Sequence, residues 1–319
     1  MYCNKKTVEE VFLTAIREED LEKIKACITL GVNVNVRDKY GLPALFRACH
    51  NYYIFELFLA QPNIDVNIKY EEYNDTHETV LMSAISVNNA NVVRRLCQVP
   101  GIDLNFQNLL GHSAASLAIL DENKEILDIL IAVPGINWNI KNNSGWSPLT
   151  IAVQFCNVEV LRILIRIPTL DFSVLNPDGK NIGQMVVEKE EYDTGSLPCL
   201  ELLSRDSRVN WNIRDSNGDT PIMHVFKKKK SEMFKILMNV YSIDKTSFMQ
   251  QVFNLTSPTA PECPICFERF TRNCQVFQCV SGHFVCGRCH QQIQSCPKCR
   301  GPMTGRAHDF EQFMSTLNM

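Results

Sequence analysis

The feature that most limits what this chain can fold into is a phrase that returns along most of its length. Glycine-led segments align as Gly41-Leu-Pro-Ala-Leu, Gly111-His-Ser-Ala-Ala, Gly145-Trp-Ser-Pro-Leu, Gly179-Lys-Asn-Ile-Gly and Gly218-Asp-Thr-Pro-Ile, with His77-Glu-Thr-Val-Leu filling the gap in the series. Successive anchors stand 36, 34, 34, 34 and 39 residues apart. A second phrase precedes each anchor in register: Val32-Asn-Val-Asn, Ile64-Asp-Val-Asn, Ile102-Asp-Leu-Asn, Ile136-Asn-Trp-Asn, Leu170-Asp-Phe-Ser and Val209-Asn-Trp-Asn. Apolar residues at helical spacing, such as Val160, Leu161, Leu164 and Ile165, give each unit a face that only its neighbours can bury. Stacking is therefore obligatory.

The period and the paired phrases resemble ankyrin repeats, whose units of about 33 residues form a turn and two antiparallel helices. The resemblance covers residues 7–241. Ser147-Pro148 and Thr220-Pro221 place a capping hydroxyl before a proline, whose missing N–H costs nothing at a first helical position. Wear in the pattern falls at Ser113-Ala-Ala-Ser116 and Asn181-Ile-Gly-Gln184, in a fifth unit stretched around Tyr192 and Pro198, and in an exposed acidic insertion at residues 71–75. Such an array implies a surface for a protein ligand rather than a reaction centre. His50, His112 and His224 stand apart, so structural or surface roles are expected of them. The lysine run from Lys227 to Lys230 is expected to be a solvated turn rather than a nuclear signal.

Bulk chemistry narrows the function classes. The hydrophobic fraction is 45% and the charged fraction 21%, values of a folded chain. Residues 1–255 carry 26 basic and 31 acidic side chains and residues 256–319 carry 6 and 4, so neither part offers a nucleic acid a basic surface. No apolar run reaches membrane-spanning length and the first residues lack a signal segment, which leads to the expectation of no membrane partner and a cytoplasmic or nuclear setting. In that reducing setting the 14 cysteines are thiols or metal ligands. Six are scattered over the first 255 residues and read as small buried hydrophobes, Cys27 and Cys97 among them.

The other eight fall between Cys263 and Cys299. The order is Cys263-x2-Cys266, twelve residues, Cys279-x3-His283-x2-Cys286-x2-Cys289, six residues, Cys296-x2-Cys299. Two-residue spacers let paired thiolates turn onto one ion, and seven cysteines with one histidine suffice for two tetrahedral zinc sites. Cys274, His290 and His308 lie off the pattern.

This ligand order resembles the RING finger. Cys263-Pro-Ile-Cys-Phe267, Cys279-Val-Ser-Gly-His-Phe-Val-Cys286 and Cys296-Pro-Lys-Cys-Arg-Gly-Pro302 are similar to the seven-in-absentia family and to Mind bomb type ubiquitin ligases. The resemblance implies a mainly α ankyrin solenoid followed by a small α+β cross-braced module. Cys263, Cys266, Cys286 and Cys289 would hold one structural zinc, and Cys279, His283, Cys296 and Cys299 the other. It further implies a ubiquitin-conjugating enzyme docked on Ile265, Ile293 of the intervening helix and Pro297, with Arg300 holding the charged ubiquitin in a reactive posture. The expected organisation is an array over 1–241, a capping helix and linker over 242–262, the RING over 263–300 and an amphipathic tail over 301–319. Phe248, Met249, Val252 and Phe253 carry the capping helix, and Asp309, Phe310, Phe313, Met314 and Leu317 the tail helix, which packs on its own RING or pairs two of them. The rival class is a non-catalytic adaptor.

Overall fold

The computed structural model describes residues 5–70, 77–189, 195–228, 230–244, 247–248, 262–266, 268, 270, 274–280, 283–308 and 310–311. The insertion at 71–75, the core of the stretched unit at 190–194, most of the expected capping helix and linker at 249–261, and the tail from 312 onward lie outside them. The chain divides into two compact units, Met1–Ile182 and Gly183–Met319.

The first unit is a succession of helix pairs: α1 (Lys5–Arg17) with α2 (Leu21–Thr29), α3 (Ala44–Ala48) with α4 (Tyr52–Leu59), α5 (Val80–Ser86) with α6 (Ala90–Leu96), α7 (Ala114–Leu120) with α8 (Lys124–Ile131), and α9 (Pro148–Gln154) with α10 (Val158–Leu164). The first helix of each pair packs on the first helix of the next, α1 on α3, α3 on α5, α5 on α7 and α7 on α9. The second helices stack likewise from α4 to α10. A two-stranded ribbon, β1 (Lys69–Tyr70) and β2 (Glu78–Thr79), leads into α5.

Local chemistry sets these boundaries. Every second helix opens on an Asn or Asp whose side chain accepts a backbone N–H of the first turn: Asp20, Asn51, Asn89, Asn123 and Asn157. Among the first helices, Ser113 and Ser147 form reciprocal capping boxes with Ser116 and Thr150. The apparently worn Ser113-Ala-Ala-Ser116 is thus a complete helix start. Thr220 marks a helix start as expected, yet its hydroxyl makes no cap bond and is buried without a partner among the described residues.

The two recurring phrases each have a structural cause. The anchor glycines hold φ between +74° and +83°, and His77 takes the same left-handed region at +44°. Three residues before each glycine anchor, the side-chain oxygen of Asp38, Asn108, Asn142, Asn176 or Asp215 accepts the N–H groups two and four residues ahead, closing a finger. The final asparagine of the second phrase ties units together. Asn35 donates to the Asn63 carbonyl and accepts the Asp65 N–H, and Asn67, Asn105, Asn139 and Asn212 repeat the pattern one unit on, at 2.7–2.9 Å. Ser173 stands in the asparagine's place in the fifth phrase and bonds Asp171 of its own turn instead.

The second unit opens with α11 (Ile182–Glu188), α12 (Ser196–Ser204), α13 (Pro221–Lys227) and α14 (Ser231–Met238); α14 packs on both α12 and α13, and Trp211 is fully buried. Lys230 corrects the solvated-turn expectation for the lysine run, whereas Lys227 stays exposed. Lys227 reaches both Asp219 carboxylate oxygens at 2.7 Å, and buried Lys230 donates to the carbonyls of Val187, Glu188 and Lys189 at the C-terminal end of α11. Phe248 of the expected capping helix is buried and joins Phe226 and Phe234 in a cluster with ring centroids 5.7–5.9 Å apart.

Candidate metal centres

The cysteine-rich segment builds its frame from three short strands. β3 (Val276–Cys279) pairs antiparallel with β4 (Phe284–Cys286) on one side and β5 (Met303–Arg306) on the other. α15 (Gly287–His290) follows β4 directly. Residues 303–306 of the expected amphipathic tail are therefore strand. Phe310 returns to the frame, stacked on Phe284 at 4.3 Å and edge-on to Phe270 at 5.6 Å, and all three are buried. Glu311 locks the return, accepting the Val276 N–H at 2.7 Å and the Arg306 Nε at 2.9 and 3.0 Å.

This frame gathers eight donors into two groups of four. Cys263, Cys266, Cys286 and Cys289 have their sulfurs within 4.8 Å of one another, and so have the donor atoms of Cys279, His283, Cys296 and Cys299. The β3–β4 hairpin deals its ends to different groups: Cys279 leaves β3 into one, Cys286 leaves β4 into the other. Each group thus takes ligands from two separated stretches, which cross-braces the segment.

The donor chemistry fits zinc. Cys266 and Cys286 sulfurs are 3.8 Å apart, Cys279 and Cys299 sulfurs 3.5 Å, and His283 Nδ1 lies 3.6 Å from Cys279 Sγ and 3.7 Å from Cys296 Sγ. Zinc–sulfur bonds of about 2.3 Å in a tetrahedron place the ligand atoms ~3.6–3.8 Å from one another. Backbone N–H groups already support thiolate character: burial pushes the Cys263 thiol up, but the N–H groups of Cys266, Cys286 and Ile265 outweigh it and bring it to about 7. Cys279 Sγ accepts the His283 N–H at 3.4 Å. Crowding acts in the opposite sense on Cys289, which burial and then the side chains of Cys286, Cys266 and Cys263 push up to about 12. A divalent cation relieves that repulsion.

The remaining expected residues fall into place unevenly. Half-buried Ile265 sits on the turn between Cys263 and Cys266, and exposed Pro297 on the corresponding turn between Cys296 and Cys299. Ile293 is half-buried but lies beyond α15, on a turn where its N–H meets the His290 carbonyl, rather than within the helix. Exposed Arg300 holds φ +60°, a conformation costing a non-glycine residue about 1 kcal/mol or more. Its N–H bonds the Cys296 carbonyl while Cys296 N–H bonds Gly301, so the turn around the last ligands dictates that strain. Cys274 belongs to neither group, His290 lies against the Phe277 ring at 3.9 Å, and His308 faces Glu311. The Glu311 clamp has no signal in the sequence, whereas Phe310 lies in the tail helix expected to pack on this module or to pair two of them, and it meets Phe270 and Phe284.

A family model described as ankyrin repeats, three copies, matches residues 12–108 and 81–176, together about half of the chain. The chain belongs to the ankyrin-repeat family. The ankyrin repeat domain of Bcl-3, described as a unique member of the IkappaB protein family, superposes with a TM-score of 0.61 over 71% of this chain and 97% of that domain at 18% identity, a likeness of fold. A further stretch is similar to ubiquitin ligases: 44% identity over 43 residues with human E3 ubiquitin-protein ligase SIAH2, covering 14% of this chain and 13% of that protein. With E3 ubiquitin-protein ligase siah-1 of Caenorhabditis briggsae it is 49% over 41 residues, 13% and 9% of the two chains. The chain thus spans about a tenth of the length of these relatives.

Proposed function

We propose that this chain is a RING-type ubiquitin-protein ligase whose repeats recruit the substrate. The observation that carries the reading is the interleaving of two complete four-donor sets on the β3–β4 hairpin, in a chain with a stretch similar to ubiquitin ligases. Cys263, Cys266, Cys286 and Cys289 would hold one zinc and Cys279, His283, Cys296 and Cys299 the second. With four protein ligands each, the ions supply rigidity and leave no open position for activating water. Catalysis then rests on positioning. Ile265, Ile293 and Pro297 offer apolar contacts to a ubiquitin-conjugating enzyme. Arg300, with several planar donors, engages carbonyl groups of enzyme and ubiquitin together and holds the thioester towards an incoming lysine.

The test is autoubiquitination by the zinc-loaded full chain with activating enzyme, ubiquitin and a panel of conjugating enzymes, beside Ile265→Ala and Arg300→Asn. Asparagine tolerates the left-handed backbone that Arg300 occupies, so that variant separates fold from function. Loss of charged hydrogen bonds worth about 1.5–3 kcal/mol should slow transfer roughly 10- to 100-fold. No ladder with any conjugating enzyme would leave a non-catalytic adaptor, and undiminished transfer by Arg300→Asn would remove Arg300 from the mechanism.

A further inference from the structure

One apolar side chain of the metal module has no part in the reading above. Among the described residues from 262 to 311, Val280 is the single large aliphatic or aromatic side chain that is exposed, at 60%. Ile265, Phe277, Ile293 and Met303 are all half-buried. Lone exposed valines are ordinary on a protein surface, so what matters is where this one stands.

Val280 follows the ligand Cys279 at the end of β3. Its N–H donates to the Pro302 carbonyl at 3.1 Å, and its Cγ2 lies 3.0 Å from the point a Cβ on Gly301 would occupy, with Cys299 Sγ 3.3 Å from the same point. Gly301 does not hold a left-handed φ, so an ordinary residue could take its backbone conformation; the approach of Val280 and Cys299 is what crowds out a side chain there. Val280 is therefore braced on the backbone of the residue that follows Arg300. That turn is itself fixed, since Arg300 N–H meets the Cys296 carbonyl at 2.8 Å and the Gly301 carbonyl accepts the Cys296 N–H at 2.9 Å. Other cations of the module are tied down, Arg288 to Glu268 at 3.3 Å and Arg306 to Glu311 at 2.9 Å, whereas Arg300 and nearby Lys298 have no ion-pair partner among the described residues. One rigid turn thus presents an uncommitted guanidinium and, against its backbone, a fixed apolar side chain.

From this we infer that Val280 is a further contact for the ubiquitin carried by the conjugating enzyme, an apolar footing beside the polar hold of Arg300. The inference rests on the ligase reading and extends it: Ile265, Ile293 and Pro297 take the enzyme, while Arg300 and Val280 take the ubiquitin joined to it. Hydrogen bonds from one guanidinium leave ubiquitin free to pivot about them. A second contact removes that freedom, and because Val280 is already braced it does so without the entropy of ordering a loop. Burying the valine against an apolar spot on ubiquitin releases the water that now covers it.

The test is discharge of a thioester-charged conjugating enzyme to free lysine by the zinc-loaded full chain, in which the lysine amine forms an amide with the ubiquitin terminus as the thioester C–S bond breaks and the enzyme's thiol leaves. Beside it, isothermal titration calorimetry would give the affinity of the same enzyme without ubiquitin. Val280→Asp should slow discharge at least about tenfold and the near-isosteric Val280→Thr about threefold, with Val280→Ile close to the parent, while affinity for the uncharged enzyme stays within about twofold throughout. Zinc content equal to the parent's and an unchanged circular dichroism spectrum would establish that each variant is folded. Discharge by Val280→Asp at the parent's rate would overturn the inference and leave the ligase reading standing. A matching loss of affinity for the uncharged enzyme would overturn it as well, by placing Val280 in the enzyme's own docking surface. No discharge by the parent with any conjugating enzyme would instead remove the ligase reading, and the inference with it.

Discussion

The repeat array and the cysteine-rich segment solve the same problem with opposite means. In the array, order is spread: buried side chains such as Leu81, Leu127 and Leu161 recur unit after unit, the second helices from α2 to α10 open on the same Asn or Asp cap, and the asparagine rungs add the same two hydrogen bonds at each joint except the one where Ser173 stands. In residues 262–311 the described apolar core comes down to a few side chains, Phe270, Val276, Phe284, Val285 and Phe310. Order there is concentrated at two points where four donors meet. The difference teaches where each region is vulnerable, because a sum of equal terms degrades gradually and a structure hung on two points does not.

Metal removal should give the largest effect. Structural zinc in small modules contributes about 10–16 kcal/mol of apparent binding free energy. A strong chelator is expected to release two zinc ions per chain and abolish the dispersed amide resonances of β3, β4 and β5 while the helical circular dichroism of the array persists. Retention of the hairpin without metal would break the comparison.

Within the array, removing one buried side chain should cost less and stay local. Leu161 in α10 is fully buried, and Leu161→Ala should destabilise the array by about 3 kcal/mol, read as a lowered urea midpoint, with zinc stoichiometry unchanged. One rung should cost less again. Asn105 bonds the Gly135 carbonyl and the Asn137 N–H at 2.8 and 2.7 Å, and Asn105→Ala should cost about 1–2 kcal/mol because the exposed partners can turn to water. A cost like that of Leu161→Ala would show that the array is held by its rungs more than by its core.

How much was legible follows the same division. Both phrases of the array could be aligned from the sequence, including His77 as a glycine substitute, because each position answers a local backbone demand repeated many times. The eight metal-binding candidates were equally plain, since thiol spacing is a one-dimensional signal. What escaped depends on contacts between residues far apart in the chain. Lys230 looked like one of four solvated lysines until α11 supplied carbonyls for it, and Ile293 seemed helical although α15 ends at His290. Phe310 belongs to the tail helix expected to pack on its own module or to pair two of them, and it does return to Phe284, but Glu311 gave no sign of its clamp on Val276 and Arg306, because only the β3–β5 pairing brings those two partners together.

The smallest expected effect isolates one charge in the array. Asp38 does two things: it closes its finger by accepting the Tyr40 and Leu42 N–H groups, and it pairs with Arg47 at 2.8 Å. Asn108, Asn142 and Asn176 do the first task in their own fingers, so Asp38→Asn should keep the finger and lose the pair. Burial raises the Asp38 carboxyl, but the bonds from Arg47 and from the two backbone N–H groups outweigh it and hold it below its ordinary 3.8. A carboxyl with a lowered folded-state pKa stabilises the fold above its unfolded pKa, and that stability is lost as pH falls through the folded value. Asp38→Asn should therefore cost about 0.5–1 kcal/mol at neutral pH, and the gap between variant and parent in urea unfolding should close below about pH 4. A gap that stays constant into acid would mean that finger geometry, not charge, is what Asp38 contributes.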